Sequence, residues 1–307
     1  MDIKALLMQK NGIVLMHMAE ELLGKQEGDR IETIVNLAEK FQVGRGTVQT
    51  AMKTLKELGA IDMEARGHMG TIITKIDYSV LLNVSGLSSI VGVMPLPYSK
   101  RYEGLATGIY NVLNQTNVAV HLAFMAGADK RLRALLDKRY DFVVASKLTA
   151  LHYLKEKQPI DILVTLSSKT YVNDHSLIVR QDFTGYYEGM RIGVDYSSFD
   201  QFSMTNKYFQ NKSVELVPLK YGQIIANLKN KKIDGAIWSM EERLLADEEL
   251  KFESIHAERE EIENTQAVII VRKNDVSIIN FLSHFFDKAQ VEKYQQDVLD
   301  KKIIPNY

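Results

Sequence analysis

The sequence predicts an α/β protein with a small helical head followed by a larger domain of alternating strands and helices. The chain of 307 residues is too long for one ordinary core and fits two compact domains. Apolar residues recur at helical spacing in the head, whereas short apolar strands alternate with helices from residue 90 onward. Hydrophobic residues make up 46% of the chain and charged residues 25%, which excludes wholesale disorder.

The centre of the head contains a short helix, a tight turn and a second helix. Thr33 is a suitable N-cap for the short helix. Residues 43–44 form the predicted turn, and the second helix runs from Arg45 to about Leu58, before Gly59 stops it. Its apolar residues fall at helical spacing: Val48, Ala51, Met52, Leu55 and Leu58.

Two β-prone runs follow the second helix. They lie at residues 61–64 and 71–74, and the residues between them include Gly67 and Gly70. A helix, a turn, a second helix and a glycine-containing hairpin make a winged helix-turn-helix. We therefore predict a winged helix-turn-helix DNA-binding domain over residues 1–76.

The head resembles the DNA-binding domain of GntR-type bacterial regulators. The resemblance keeps its spacing without gaps, at residues 28–31, 37–39, 43–48 and 58–61. It implies a homodimer that binds palindromic, double-stranded operator DNA.

The head departs from the GntR pattern at positions that matter for recognition. Residues 32–35 stand where the family has Pro-Ser-Glu-Arg, so the contact of that arginine with the DNA backbone is lost. Gly44 replaces a serine N-cap, Gln49 replaces the second arginine of the recognition helix, and the wing glycines at residues 67–71 are spaced differently. Because Gln pairs best with adenine and Arg with guanine, the preferred operator should differ from the common family sites.

The charge distribution is more informative than the total. A net charge of −1, from 38 basic and 39 acidic residues, gives no chain-wide electrostatic case for binding nucleic acid or membranes. Between Lys40 and Lys56, however, four bases occur without an acid, which suits phosphate contact. The predicted DNA contacts lie on the two helices and in the wing: Thr33, Arg45, Thr47, Gln49, Arg66 and His68. The alternative is a winged helix that binds another protein.

The larger domain follows a predicted linker at residues 77–87. Its first series has predicted strands at residues 90–96, 118–125, 141–145 and 160–166, with helices at residues 101–114 and 130–137. Its second series has predicted strands at residues 190–195, 214–218, 233–238 and 268–271, with helices at residues 199–209, 222–229, 276–286 and 291–299. This alternation predicts βαβ units and a parallel sheet.

The two series resemble the type 2 periplasmic-binding-protein fold, in which the chain crosses between two α/β lobes. The resemblance is most specific at residues 190–195 and 232–237. It implies a two-lobed effector-binding domain at residues 88–307. The implied lobes lie at about these residues: 88–180 with 265–307 for lobe I, and 181–264 for lobe II. Together with the head, this domain resembles the YhfZ-type transcriptional regulators, which implies a ligand-responsive regulator.

Serine residues mark the predicted effector cleft. Ligands of open α/β sheets bind beyond the carboxyl ends of the strands, and the helices that begin there favour small anions. The predicted ligand-binding residues follow four of these strand ends: Tyr98, Ser99, Ser146, Lys147, Ser197, Ser198 and Ser239. Lys147 would add a full positive charge, which favours an anionic effector. The alternative is that these serines are plain N-caps.

No pattern in the sequence indicates catalysis, a cofactor or a metal site. Residues 174–176 combine Asp, His and Ser, but neighbours in sequence cannot point at one another as a catalytic triad requires. An enzyme or a solute receptor on the same scaffold is the alternative to a regulator. The absence of cysteine, of a membrane span and of a signal peptide predicts a cytoplasmic protein. Residues 241–263 hold ten acids and three bases, which predicts a solvated surface.

Overall fold

The computed structural model describes residues 10–185, 187–239, 248–255 and 259–307. The acidic stretch at residues 241–263 therefore lies partly outside the described residues. The chain divides into two compact units. One comprises residues up to 91, Tyr110–His121 and Asn274–Asp287, and the other comprises Gly92–Ile109, Leu122–Lys273 and Lys288–Tyr307. Within the described ranges, no helix is long and apolar enough to cross a membrane.

The head forms the predicted winged helix-turn-helix. Its elements, numbered in chain order, are α1 (Lys10–Leu22), β1 (Arg30–Ile31), α2 (Ile34–Lys40), α3 (Arg45–Glu57), β2 (Ile61–Ala65) and β3 (Thr71–Ile76). β3 pairs antiparallel with both β2 and β1, so the small sheet has the order β1-β3-β2. Two residues are too few to give a strand pattern, which is why β1 was not predicted.

Local chemistry explains the bounds of the two recognition elements. The Thr33 hydroxyl accepts a hydrogen bond from the backbone N–H of Asn36 at 3.2 Å and caps α2, as predicted. The turn between the helices is made by Gln42, whose φ of 53° lies in the left-handed region, while the Val43 N–H closes on the Ala38 carbonyl at 3.0 Å. Gly44 precedes α3 and supplies no side-chain cap, as its residue type requires.

The predicted linker contains a short helix, α4 (Tyr78–Val84), which Asp77 caps through the backbone N–H of Val80. Leu81 and Leu82 on this helix are buried. The same unit includes α11 (Val276–Phe285), which contacts α1. The Asn280 amide donates to the Glu20 carbonyl oxygen at 2.8 Å.

The second unit contains most of two five-stranded sheets. The strands of the first are β4 (Ile90–Met94), β5 (Val120–Phe124), β6 (Phe142–Ser146), β7 (Ile160–Thr165) and β13 (Ala267–Arg272), in the order β5-β4-β6-β13-β7. The strands of the second are β8 (His175–Arg180), β9 (Met190–Val194), β10 (Val214–Pro218), β11 (Gly235–Ser239) and β12 (Leu250–Ser254), in the order β10-β9-β11-β8-β12.

Both sheets are mixed, so the prediction of a parallel sheet was wrong in part. β13 runs antiparallel to β6 and β7, and β8 runs antiparallel to β11 and β12. β8 and β13 are the strands that follow the two crossings between the lobes. The chain therefore reaches β8 and β13 from the other lobe and not through a helix of the same lobe. Each of these strands runs opposite to the direction that a βαβ connection would give it. Strand alternation in a sequence does not show direction, whereas β9 with β10 and β4 with β6 are parallel as expected.

Helices cover these sheets. They are α5 (Lys100–Leu113), α6 (Ala128–Leu136), α7 (Lys147–Lys155), α8 (Phe199–Phe209), α9 (Ile224–Lys229), α10 (Arg259–Thr265) and α12 (Lys288–Leu299). α5 and α12 pack backbone against backbone, because a Cβ at Gly108 would lie 2.5 Å from the carbonyl oxygen of Val291. Each lobe has its own apolar core, represented by Phe142 in the first sheet and Ile237 in the second, both fully buried.

Candidate DNA interface and effector cleft

The recognition helix α3 separates an apolar face from a polar one. Val48 and Leu55 are fully buried and hold the helix against the head. Arg45 and Gln49 are exposed on the opposite side, and Thr47 is half-buried. The helix therefore has an exposed polar face in its first turns, where a helix-turn-helix protein contacts base edges.

Acidic side chains from elsewhere in the head approach most of the bases. Salt bridges of 2.8 to 3.8 Å join Lys40 to Glu21, Lys53 to Glu57, Lys56 to Asp62 and Arg66 to Glu64. Residues 40–56 contain no acidic residue, yet in the folded head acidic side chains lie next to the lysines of this stretch. Exposed pairs of this kind contribute at most about 1 kcal/mol, so DNA phosphates can replace the acidic partners. Among the predicted contacts, Arg45 has no ion pair within the described part of the head.

The remaining predicted DNA contacts lie at the start of α2 and in the wing. Thr33 is exposed, but its hydroxyl already caps α2. His68 is exposed in the turn at Gly67–Met69, which joins β2 to β3. The turn closes at Gly70, which has a φ of 84° and lies against the side chain of Arg30.

The two lobes meet at the carboxylate of Asp200, which sequence reasoning missed. Asp200 lies in the first turn of α8 in lobe II. Its Oδ1 accepts hydrogen bonds from the hydroxyls of Ser146 and Thr149 in lobe I, both at 2.7 Å. Burial raises the pKa of Asp200, and these two hydrogen bonds oppose the rise. A protein carboxylate therefore occupies the N-terminus of α7, the position at which an anion was predicted.

Most of the other predicted ligand-binding side chains also have protein partners. Ser197 donates to Asp195 at 2.6 Å, and the hydroxyl of Ser239 lies 2.9 Å from that of Tyr221. The Lys147 ammonium donates to the Gln266 side chain at 3.2 Å. Ser99 accepts from the backbone N–H of Tyr102, and Ser198 precedes α8 without a side-chain cap.

Tyr98 is the most exposed of the predicted ligand-binding residues, at 52%. The pKa of its hydroxyl is raised by partial burial and by the negative charge of Asp195 in lobe II. Tyr98 is thus a lobe I side chain within electrostatic reach of lobe II. The structure brings residues at strand ends of both lobes close together, and their binding of an effector stays a prediction.

The most unusual cleft residues were not predicted, because their sequence context is ordinary. Arg131 lies in an amphipathic helix among other charged residues, yet it is only 3% exposed. Tyr221 stacks on Trp238 with ring centroids 3.9 Å apart. Asp195 accepts from the Tyr221 backbone N–H at 2.8 Å. Asp195 is the last residue of the strand motif at residues 190–195, and this position was the one signal that could have identified it.

The residues of the sequence triad do not form a catalytic site. His175 is buried at the start of β8, where burial lowers its pKa to about 4. Its Nε2 lies 3.4 Å from the side-chain nitrogen of Asn264. Asp174 instead pairs with Lys169 at 3.0 Å. Across the described ranges, no group of three or more His, Asp or Glu side chains is arranged to hold a metal ion.

Comparison with known proteins identifies both parts of the chain. Residues 77–307 match the YhfZ C-terminal domain, and residues 26–73 match a helix-turn-helix domain. The chain belongs to the YhfZ family. It is 33% identical over 304 residues to the uncharacterized protein YhfZ of Escherichia coli K12, covering 97% of this chain and 98% of that protein. The helix-turn-helix and this relationship indicate a DNA-binding regulator, while the narrower GntR resemblance stays a prediction.

Solved structures support the fold of the YhfZ domain. The crystal structure of YhfZ from Shigella flexneri matches with a TM-score of 0.63 and 32% identity, covering 74% of this chain and 96% of that one. An ancestral arginine-binding protein bound to arginine matches with a TM-score of 0.51 and 14% identity, covering 69% and 97%. The second similarity shows the fold alone: the YhfZ domain resembles periplasmic binding proteins, as predicted.

Proposed function

We propose that this YhfZ-family protein is a cytoplasmic transcription regulator that binds palindromic operator DNA as a homodimer and senses a small anionic metabolite. The observation that carries the proposal is the combination of two sites in one chain. The head exposes Arg45 and Gln49 on a well-anchored recognition helix. The second unit closes two lobes through direct hydrogen bonds to Asp200.

The chemistry of the recognition helix supports base readout. Gln49 can donate to and accept from one adenine edge, and the unpaired Arg45 can contact a guanine or a phosphate. The bases of the head that already have acidic partners would contribute less to counterion release than their number implies. A homodimer would present two such helices to half-sites about one helical turn apart.

The cleft supports an anionic effector. The N-terminus of α7 offers the hydroxyls of Ser146 and Thr149, and it already holds the carboxylate of Asp200. An effector anion would replace or join Asp200 there. The resulting movement of the lobes would change the spacing of the heads, and with it operator occupancy.

Selection of bound sites from random DNA tests the proposal, and it is performed with and without a cell metabolite extract. We expect a palindromic site that contains adenine at the position read by Gln49, with an occupancy that changes with the extract. Gln49→Ala should lose the preference at that position, whereas Gln296→Ala, at an exposed position of α12 in the other unit, should retain it.

A salt titration separates DNA binding from a protein-binding role for the winged helix. We expect the logarithm of the affinity for DNA to fall linearly with the logarithm of the salt concentration. A flat dependence, or no enrichment of any site, would contradict the proposal.

A further inference from the structure

Arg131 is a buried cation that forms no salt bridge with a described carboxylate. It lies on α6 in lobe I and is 3% exposed. Arginine is almost never fully buried unless it is paired. In the part of the chain that the structure describes, no carboxylate forms an ion pair with its guanidinium, although Asp200 of lobe II lies within electrostatic reach. The guanidinium thus carries a full charge close to the opposite lobe.

Neutral acceptors hold the guanidinium in place and leave part of it unused. Nη1 donates to the Met125 carbonyl oxygen at 2.8 Å, and Nη2 donates to the Tyr171 hydroxyl at 3.2 Å. Nε is buried and has no acceptor. Of the five N–H groups of an arginine, three therefore remain, and the buried Nε–H is one of them.

The surroundings are aromatic, which strengthens electrostatic interactions by excluding water. Tyr171 contacts Tyr102 edge to face, with ring centroids 5.3 Å apart. The pKa of Tyr102 is raised by burial and by its neighbours Tyr171 and Tyr221. Tyr221 stacks on Trp238, whose Nε1 is a second buried donor without an acceptor. Arg131 Nε and Trp238 Nε1 are thus two buried N–H donors without acceptors, and each can donate to a ligand that accepts hydrogen bonds.

The carboxylates nearby limit the charge of such a ligand. Asp200 is held by the hydroxyls of Ser146 and Thr149. Asp195 accepts from the backbone N–H and hydroxyl of Ser197 and from the backbone of Tyr221. Both would repel a dianion such as phosphate more strongly than a single negative charge.

We propose that Arg131 is the charge anchor for a small monocarboxylate effector, bound through Nε and Nη when the lobes open to admit it. The inference rests on the proposed sensing function and names the chemistry of its ligand. A purely structural role would use Arg131 only to tie the end of β5 to Tyr171. That role predicts no dependence of ligand affinity on this side chain.

Titration of the full-length protein with acetate, pyruvate, lactate and benzoate tests the proposal, with inorganic phosphate as the comparison at equal ionic strength. The readouts are the fluorescence of Trp238, the only tryptophan in the chain, and the thermal unfolding midpoint. We expect saturable binding of at least one monocarboxylate. Arg131→Gln should weaken it on the order of 100-fold, because two charge-assisted hydrogen bonds are lost.

Two further variants make the result specific. Arg133→Gln removes an exposed arginine from the same helix and should leave the affinity unchanged. Arg131→Lys keeps the charge without the bidentate edge and should weaken binding while preserving cooperative unfolding, so it decides the matter if Arg131→Gln does not fold. Equal affinity in wild type and Arg131→Lys, preference for phosphate, or no saturable monocarboxylate response would each overturn the proposal.

The outcome is independent of the DNA-binding test. Site selection in the absence of carboxylates reports on the regulator itself. A protein that selects an operator but shows no carboxylate response refutes the role of Arg131 alone. A protein that binds a monocarboxylate through Arg131 but selects no operator refutes the proposed function alone.

Discussion

Removing the carboxylate of Asp200 should open the two lobes. The carboxylate accepts two hydrogen bonds across the lobe boundary, from Ser146 and Thr149, whose side chains are almost completely buried. In Asp200→Ala both hydroxyls lose their acceptor. At about 1–1.5 kcal/mol for each bond, the closed arrangement loses about 2–3 kcal/mol. A loss of that size lowers the ratio of closed to open molecules roughly 30- to 150-fold.

Asp200→Asn is the matched control. An amide oxygen can still accept from both hydroxyls, and the cost of burying a charge disappears. We expect this variant to stay within about 1 kcal/mol of the wild type. Small-angle X-ray scattering of the full chain at neutral pH measures the difference, because an open domain has a larger radius of gyration. Asp200→Ala with the same scattering and melting midpoint as the wild type would refute the reasoning.

Because the pKa of Asp200 is raised, the stability of the closed state should depend on pH. Burial favours the protonated carboxyl, so its pKa in the closed state lies above the ordinary value. The resulting stabilisation of the closed state is fully present below the ordinary pKa of an aspartate. It is lost as the pH rises through the raised pKa of Asp200. The wild-type melting midpoint should therefore fall over this window while the lobes stay closed at neutral pH, and that of Asp200→Asn should not follow the same change. A wild-type midpoint that rises over this window would contradict the assignment.

Three other variants test the packing of both units by urea or thermal unfolding. Gln42→Gly should stabilise the head by about 0.5–1 kcal/mol, because the residue has a left-handed φ of 53° that glycine adopts without strain; a loss of stability would count against this. Gly108→Ala should cost about 1–3 kcal/mol, because the new Cβ would lie 2.5 Å from the Val291 carbonyl oxygen, whereas Gly46→Ala has open space and should be neutral or stabilising. Asp234 accepts hydrogen bonds from two arginines that hold its pKa well below the ordinary value, so its stabilisation is present above about pH 4 and lost as the pH falls. Urea midpoints of Asp234→Asn should therefore change less on acidification than those of the wild type.

Helices and strands could be predicted from the sequence where their apolar residues are regularly spaced or where a capping residue marks a helix end. The predicted helix at residues 199–209 and the strand at residues 214–218 match α8 and β10 residue for residue. Thr33 caps α2 as its residue type implied. These features depend on side chains within a few positions of one another, and periodicity reports on such local preferences.

Features that depend on the approach of distant segments could not be predicted in this way. The direction of β8 and β13 follows from crossings between lobes, which leave no mark on local periodicity. The predicted serine positions proved to lie beside protein partners, and the carboxylate that links the lobes, Asp200, was not among the predicted residues.

The sequence by itself determined the winged head, the two α/β series and the YhfZ-type combination, because each follows from short-range patterns along the chain. Only the tertiary structure determined which charged side chains are paired and which are buried. It brought Glu21 to Lys40 and so reduced the excess of positive charge that the sequence implied. It also buried Arg131, which forms no salt bridge in the part of the chain that the structure describes, whereas an amphipathic helix pattern would place that residue in solvent. Electrostatic energy depends on distance and burial in space, and neither is set by separation along the chain.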